Sequence, residues 1–329
     1  MMAFAAYFMH TVYKEIEIEE VIWFYGPVGS TSPASSSFRV GERARRGRPK
    51  PTREPSFMAY NTITAAPITP TLGAEIAGVD LSQPLSAVQL EDLHQAIADH
   101  QVIFFRDQTL DPASLKRVGQ YFGELQAHAL KGLPDHPEVR KLHADETSKH
   151  VSGEEWHTDM SCLAVPPMGS ILYMHTLPPM GGDTIFASMY AAYDALSPGM
   201  KAHLETLTAT HDGALAFGRF DPDGKYPKAV HPVIRTHPVT GKKVLFVNRG
   251  FTSHINDVSR EESNALLQYL YLHAENAYFQ MRFRWTPGAV AFWDNRCTQH
   301  LAIWDYYPHV RSGFRVQVEG QADAYTAAA

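Results

Sequence analysis

The residues with chemistry to offer first occur in "EEWHTDMSC" (154–162), where His157 and Asp159 stand two apart between Trp156 and Met160. On an extended strand, side chains i and i+2 point the same way, so an imidazole and a carboxylate at this spacing can aim at one atom. That donor pair suits a divalent first-row metal. Two protein ligands are too few, so a third must come from far along the chain.

The H-x-D pattern alone is a weak signal, and "LHADE" repeats it at His143 and Asp145. Context separates the copies. Trp156 flanks the later one and the apolar "CLAVPPMGSILYM" follows it, enough to wall off a dry cavity. The earlier one runs into the polar "ETSKHVSGEE", which reads as a solvated loop. A distant partner stands in "AFWDNRCTQHLAIWDYYPHVRSGFRVQV", where His300 follows the apolar strand "GAVAFWD". Two histidines and one carboxylate on one face of an ion leave three positions open, as in non-haem Fe(II) oxygenases. Beyond His300, Arg311 and Arg315 share a strand face with Gly313 and Gln317, opposite Phe314 and Val316. An arginine aimed inward needs a partner, and a bidentate carboxylate is the natural one. That carboxylate could belong to a ligand or to a distant Asp or Glu. Cys297 with His300 forms a C-x-x-H, but a structural zinc site needs four ligands and the second pair is missing. Cys162 and Cys297 therefore read as small packing residues, Trp293 and Trp304 as packing around His300, and His211–Asp212 as a structural pair.

These candidates must be held by a sizeable core. The chain has 329 residues, 44% of them hydrophobic, enough for one large domain. A formal net charge of −6 argues against a nucleic-acid partner. Only two cysteines point to a reducing, cytoplasmic compartment. No apolar run is long enough to span a membrane. Residues 1–57 differ in character: "GSTSPASSS" is low-complexity, and an arginine-rich stretch contains "RGRP". An AT-hook-like minor-groove contact is one reading of that stretch, and a disordered basic tail is the plainer one. Met58 reads as a functional start, with 58–329 as a single catalytic domain and 1–57 as a disordered leader or a non-native extension. The chain is compatible with a homo-oligomer.

The element pattern after Met58 is strand-rich. Ser86 and Gln89 form a capping box ahead of Leu90, Leu93 and Ile97, and Asp111 with Pro112 opens a helix burying Leu115, Val118 and Phe122. Ser259 and Glu262 cap a third, with Leu266, Leu267 and Leu270 inward. Strands are expected at "QVIFFR", "GSILYMHT", "DTIFAS", "PVIRTHP", "KVLFVN", "FQMRFRW", "GAVAFWD" and "SGFRVQVEG", with "HPVTGKK" as a hairpin loop. Residues 126–155 read as irregular. Helices do not alternate with strands, so the fold class is mainly β with helical insertions, a sandwich or jelly-roll barrel.

"WHTD", "GGDT", "HPVIRTHPVTGKKVLFVNRGFT" and "WDNRCTQH" together resemble the taurine dioxygenase (TauD/TfdA) family of Fe(II)- and 2-oxoglutarate-dependent dioxygenases, in order and spacing, over residues 66–320. The resemblance implies a double-stranded β-helix (jelly-roll) fold. It implies His157, Asp159 and His300 as iron ligands, and Thr184 and Arg311 as holders of the distal carboxylate of 2-oxoglutarate. It also implies O2 as oxidant, with succinate and CO2 released as a small anionic substrate is hydroxylated. His128, Arg315, Phe217 and Phe251 match the family's substrate pocket. Elsewhere the pocket departs: Lys131 replaces a tyrosine, Gly153 an asparagine, Cys162 a phenylalanine and Ala216 a serine. The expectation is a larger pocket for a sulfonate, sulfate ester or carboxylate lacking taurine's amine. The alternative from another class is a zinc hydrolase using the same His/Asp/His site.

Overall fold

The computed structural model describes residues 60–127 and 132–322. The leader, Met58, His128 and Lys131 lie outside the described residues. The strands are β1 (Thr64–Pro67), β2 (Ala74–Ala77), β3 (Val102–Phe105), β4 (Gly132–Leu133), β5 (His136–Ala144), β6 (Gly169–Thr176), β7 (Thr184–Ser188), β8 (Thr208–Asp212), β9 (Lys228–Pro232), β10 (Ile234–Thr236), β11 (Lys243–Leu245), β12 (Thr252–Ile255), β13 (Gln280–Phe283), β14 (Ala289–Asp294), β15 (Thr298–Ala302) and β16 (Arg311–Val318). The helices are α1 (Ala87–His100), α2 (Pro112–Gln120), α3 (Met189–Asp194), α4 (Pro198–Leu204), α5 (Gly213–Phe217) and α6 (Arg260–Ala274).

The mainly-β expectation holds. An eight-stranded sheet runs β1-β2-β3-β14-β6-β16-β5-β4, and a three-stranded sheet runs β13-β7-β15. β12-β8-β9 and the β10-β11 hairpin complete the strands, and none of these sheets closes on itself among the described residues. The two larger sheets face each other across a core. Phe104 of β3 stacks on Phe283 of β13 with ring centroids 3.9 Å apart, and meets Phe186 of β7 edge-on at 5.7 Å. Met174, Ala291 and Trp293 fill the same layer. α1 and α2 cover the outer face of the large sheet, burying Leu93, Ile97, Leu115 and Val118. Both expected capping boxes form, at Ser86–Gln89 and Ser259–Glu262, and Asp111 caps α2.

Three expectations need correction. The region expected to be irregular contains β5, nine residues long. Its "HPEVRKLHA" places Lys, Arg and His among the apolar residues and so reads as loop. Strand geometry still turns Val139 into the core while its neighbours face elsewhere. Helices α3 and α4 were not expected: each is under two turns, too short for a 3.6-residue period to emerge. The His157–Asp159 segment is also not a strand. His157 makes a single isolated bridge to His300, and the chain then turns through Met160 at φ 48°. Among the described residues, no helix is long and apolar enough to cross a membrane.

Phe104 has no exposed surface and touches both sheets. Phe104→Ala should cost about 3–5 kcal/mol of unfolding free energy in urea titrations. A loss below about 1 kcal/mol would mean that the layer collapses around the gap and does not depend on this ring.

Candidate functional site

The His157–His300 bridge is the foundation of the site. The His157 N–H donates to the His300 carbonyl at 3.1 Å, and the His300 N–H donates back at 2.9 Å. Residues that exchange both bonds sit directly opposite one another, with side chains on the same side. The two imidazoles are therefore neighbours, with ring centroids 4.1 Å apart. Asp159 comes under them through the turn: its Oδ1 lies 3.5 Å from His157 Nε2 and 4.0 Å from His300 Nε2. One donor atom from each of the three residues falls within 4.8 Å of the others. Among the described residues the earlier pair, His143 and Asp145, gathers no third ligand: they meet each other at 3.3 Å on a partly exposed surface.

Each ligand is oriented from behind. His157 Nδ1 donates to the Glu155 carbonyl at 2.7 Å, which leaves Nε2 with its lone pair free. His300 is boxed by Trp293 at 4.7 Å and Phe186 at 6.0 Å between ring centroids. Burial, then the neighbouring His157, holds its imidazole well below the usual range, so it is neutral and able to ligate. Asp159 is held at both ends of its peptide unit. Asn295 accepts from the Asp159 N–H at 2.8 Å and donates back to its carbonyl at 2.9 Å. Ser170 donates to the carboxylate at 2.7 Å. Burial alone would push this carboxyl upward, but Arg315, His300 and His157 more than offset that and keep it ionised. Asn295 and Ser170 were not singled out from sequence. The only local signal was the position of Asn295 inside "WDNR".

Arg315 is where the sequence least anticipated its partner. Its Nη1 donates to Asp159 Oδ1 at 3.2 Å, so a distant aspartate pairs with it, and its Nε is buried without a partner. Arg311 differs. Its Nε donates to the Gly182 carbonyl at 3.1 Å, while Nη2 is buried and unpartnered. The Arg311 guanidinium lies 5.6 Å from the ring of Trp285, whose Nε1 donates to Thr184 Oγ1 at 3.0 Å. Thr184 and Arg311 thus converge on one tryptophan, and the Thr184 hydroxyl proton remains available. Between the two arginines, a side chain at Gly313 would strike the Tyr173 carbonyl at 2.2 Å, so only glycine permits this strand contact.

Of the expected substrate-pocket residues, Phe217 and Phe251 meet edge-on at 5.8 Å, and Phe251 lies 6.4 Å from His157 between centroids. His128 and Lys131 lie outside the described residues. Gly153, at φ +87°, packs against His157: an added Cβ would sit 3.0 Å from the imidazole Cε1. Cys162 is fully buried, and burial pushes its thiol up to about 12, making it an inert packing group. Cys297 groups with His237 and Asp294 instead of His300. Asp294 is already saturated there by Arg296 and by His237 at 3.0 Å. His211 is a buried structural residue, bonded to Ser161 and Thr252.

The donor set suits a divalent first-row metal, and the orphaned guanidinium of Arg311 suits a carboxylate, so the residues present fit an iron and a dicarboxylate co-substrate. Residues 64–317 match the model of the family described as "Taurine catabolism dioxygenase TauD, TfdA family". An alpha-ketoglutarate-dependent sulfonate dioxygenase of Saccharomyces cerevisiae is 34% identical over 273 residues, covering 77% of this chain and 66% of that protein. An alpha-ketoglutarate-dependent sulfate ester dioxygenase of Pseudomonas putida is 33% identical over 270 residues, covering 78% and 89%. The crystal structure of a taurine dioxygenase from Burkholderia xenovorans superposes with a TM-score of 0.72 at 34% identity, covering 79% of this chain and 90% of that one.

The segment after Asp159 is anchored by His231, whose Nε2 bonds the carbonyls of Ser161 and Leu163 at 2.9 and 3.0 Å. Burial, with the Arg235 charge, pushes this imidazole down to about 4, and His211 shifts the same way. Unfolding therefore takes up protons below the ordinary histidine range of about 6.5. This contribution to stability is complete above about pH 6.5 and is lost as pH falls toward 4. Urea midpoints of the metal-free protein should be level from pH 7 to 8 and fall steadily below 6.5. A midpoint that rises on acidification would contradict the neutral assignment.

Proposed function

The chain belongs to the TauD/TfdA family and is an alpha-ketoglutarate-dependent dioxygenase using Fe(II), 2-oxoglutarate and O2; from that premise we propose that His157, Asp159 and His300 hold the iron and that the substrate is a small organic anion. The observation that carries this reading is the trio of half-buried His157 with buried Asp159 and His300, in one protein with Arg311, whose Nη2 lacks a partner. A zinc hydrolase would leave that guanidinium without a role. We further assign the sheets to a double-stranded β-helix, the catalytic domain to residues 58–329, and residues 1–57 to a dispensable extension. Two free, buried cysteines agree with a reducing cytoplasm.

Bound iron supplies the oxidising chemistry, in which 2-oxoglutarate gives succinate and CO2 and one oxygen atom enters a substrate C–H bond. The protein's part is binding, orientation and exclusion of water. Its neighbours hold Asp159 ionised and burial holds His300 neutral, the forms in which each can ligate a metal. Arg311 offers its free N–H to the distal carboxylate of 2-oxoglutarate, and Thr184 adds its hydroxyl proton. Trp285 fixes both: its indole donates to Thr184 and its face supports Arg311. Phe217 and Phe251 give an apolar wall on the His157 side, where a carbon chain is held away from water.

The substrate is a sulfonate, sulfate ester or carboxylate. Proteins like this chain act on sulfonates and sulfate esters. Gly153, which packs against His157, removes bulk there relative to the taurine enzymes. Succinate release from a substrate panel under Fe(II) and ascorbate tests this reading. Longer alkyl sulfates and sulfonates should be turned over faster than taurine, and taurine as the best substrate would sink the enlarged pocket. Arg311→Lys should raise KM for 2-oxoglutarate about 10- to 100-fold, the loss expected from one charge-assisted contact. An unchanged KM would remove Arg311 from the co-substrate site.

A further inference from the structure

Strand β5, which the sequence reading left as loop, carries a third arginine to the site. Arg140 of β5 is the direct cross-strand partner of Arg315 of β16, as Ala144 is of Arg311. Opposite residues in an antiparallel pair share a face, so Arg140 and Arg315 present their guanidinium groups on the same side of the sheet. Like charges placed opposite one another destabilise a sheet unless something compensates. Among the described residues, the one acidic group facing both is Asp159, and Arg315 already occupies it. Among the same residues, Arg140 has the Ser152 hydroxyl as its hydrogen-bond partner, to which its Nη2 donates at 3.1 Å. Burial and the Arg315 charge push its guanidinium down to about 10, the signature of a cation short of anions.

Arg140, Ser152, Ala302 and Arg311 line one cavity, with Arg315 behind it as the cross-strand neighbour of Arg140 and not in its wall, and among the described residues no acidic side chain lines it. The cavity lies beside the metal ligands: Ser152 adjoins Gly153, which packs on His157, and Ala302 lies on the other side of Gly153. Resting on the iron and 2-oxoglutarate assignment above, we propose that Arg140 is a specificity-determining residue that, with Arg315, clamps the substrate's anionic group. Two guanidinium groups from adjacent strands approach that group from different directions. A carboxylate has two oxygens in one plane and is satisfied by a single bidentate arginine. A sulfate or sulfonate has three oxygens spread over a tetrahedron, so it can accept from both arginines and from Ser152 together. The clamp therefore selects three-oxygen headgroups over carboxylates.

The test uses hexyl sulfate and hexanoate as probes. Calorimetry reads their binding to the anaerobic protein loaded with iron and 2-oxoglutarate, and succinate release reads their KM. The wild type should bind hexyl sulfate more tightly than hexanoate. Arg140→Leu should weaken hexyl sulfate about 10- to 100-fold and hexanoate far less, with KM for 2-oxoglutarate unchanged. Arg140→Lys, which keeps the charge and loses the fork, should fall between them. The proposal is overturned if the wild type does not prefer hexyl sulfate, or if Arg140→Leu weakens both probes equally. It is also overturned if the variant instead raises KM for 2-oxoglutarate, which would place Arg140 on the co-substrate. The visible absorption band formed by anaerobic iron and 2-oxoglutarate separates the two failures. Its absence in the wild type refutes the iron and co-substrate assignment, whereas an intact band with unchanged hexyl sulfate affinity refutes only the role of Arg140.

Discussion

The site depends on two backbone hydrogen bonds, those exchanged between His157 and His300. Neither residue could serve a metal alone, and nothing in the local sequence of either calls for the other. The bridge fixes the separation and the facing of both imidazoles at once, because an exchanged pair of N–H···O bonds admits one register only. A slip by one residue on either segment would turn an imidazole to the opposite side. The bridge is isolated on the His157 side, while His300 lies in the β15–β7 ladder, so the registry of the His157 segment has to be secured from elsewhere.

It is secured at the corner between β14 and β15. Asn295 bonds both polar atoms of the Asp159 peptide unit and also the Pro167 carbonyl, while Thr158 donates to the Thr298 carbonyl at 3.0 Å. The corner is rigid because Asp294 is buried and fully paired. Arg296 grips its carboxylate with two nitrogens, and His237 closes the remaining side. Burial opposes ionisation there, yet the Arg296 and His237 contacts keep the Asp294 carboxyl well below its ordinary range. A buried carboxylate with every lone pair engaged stabilises only one arrangement of the chain around it. That explains why Cys297 lies beside Asp294 and cannot be a partner of His300 in a zinc site: the corner that aims His300 at Asp159 points Cys297 away.

Much of this was legible in the sequence, for a physical reason. Motifs such as "WHTD" and "WDNRCTQH" compress a three-dimensional corner into few residues, so the ligands, their positioning asparagine and their anchor stand close to one another in the text. Strands with clean alternation were equally readable: Met281 and Phe283 are buried while Arg282 is exposed. What was lost was lost where polar residues face inward. β5 carries Arg140 toward the site and Val139 toward the core, and a strand lining a charged chamber does not show the apolar alternation by which strands are recognised. A distant acid was one of the two partners open to Arg315, but its identity as Asp159 was not legible, since Asp159 reaches it from a turn, and pairing across a turn leaves no periodic trace.

The same inward-facing polarity sets the chemistry. Arg140, Arg311 and Arg315 stand on two adjacent strands; Arg140 and Arg315 face Asp159, and Arg311 faces Asp183. A divalent ion at Asp159 would add to that positive charge instead of relieving it. A chamber so built is under-compensated until anions enter, because cations removed from water need partners at short range. Two anions of different shape meet that need. On the proposed assignment a dicarboxylate would meet Arg311, whose unpartnered N–H lies beside Trp285 and Thr184. A second anion reaches the Arg140 and Arg315 side. Gly313, between Arg311 and Arg315 in sequence, lets β16 press against the Tyr173 carbonyl. An uncharged molecule of the same shape would leave guanidinium groups unpaired, so the chamber discriminates by charge before it discriminates by fit.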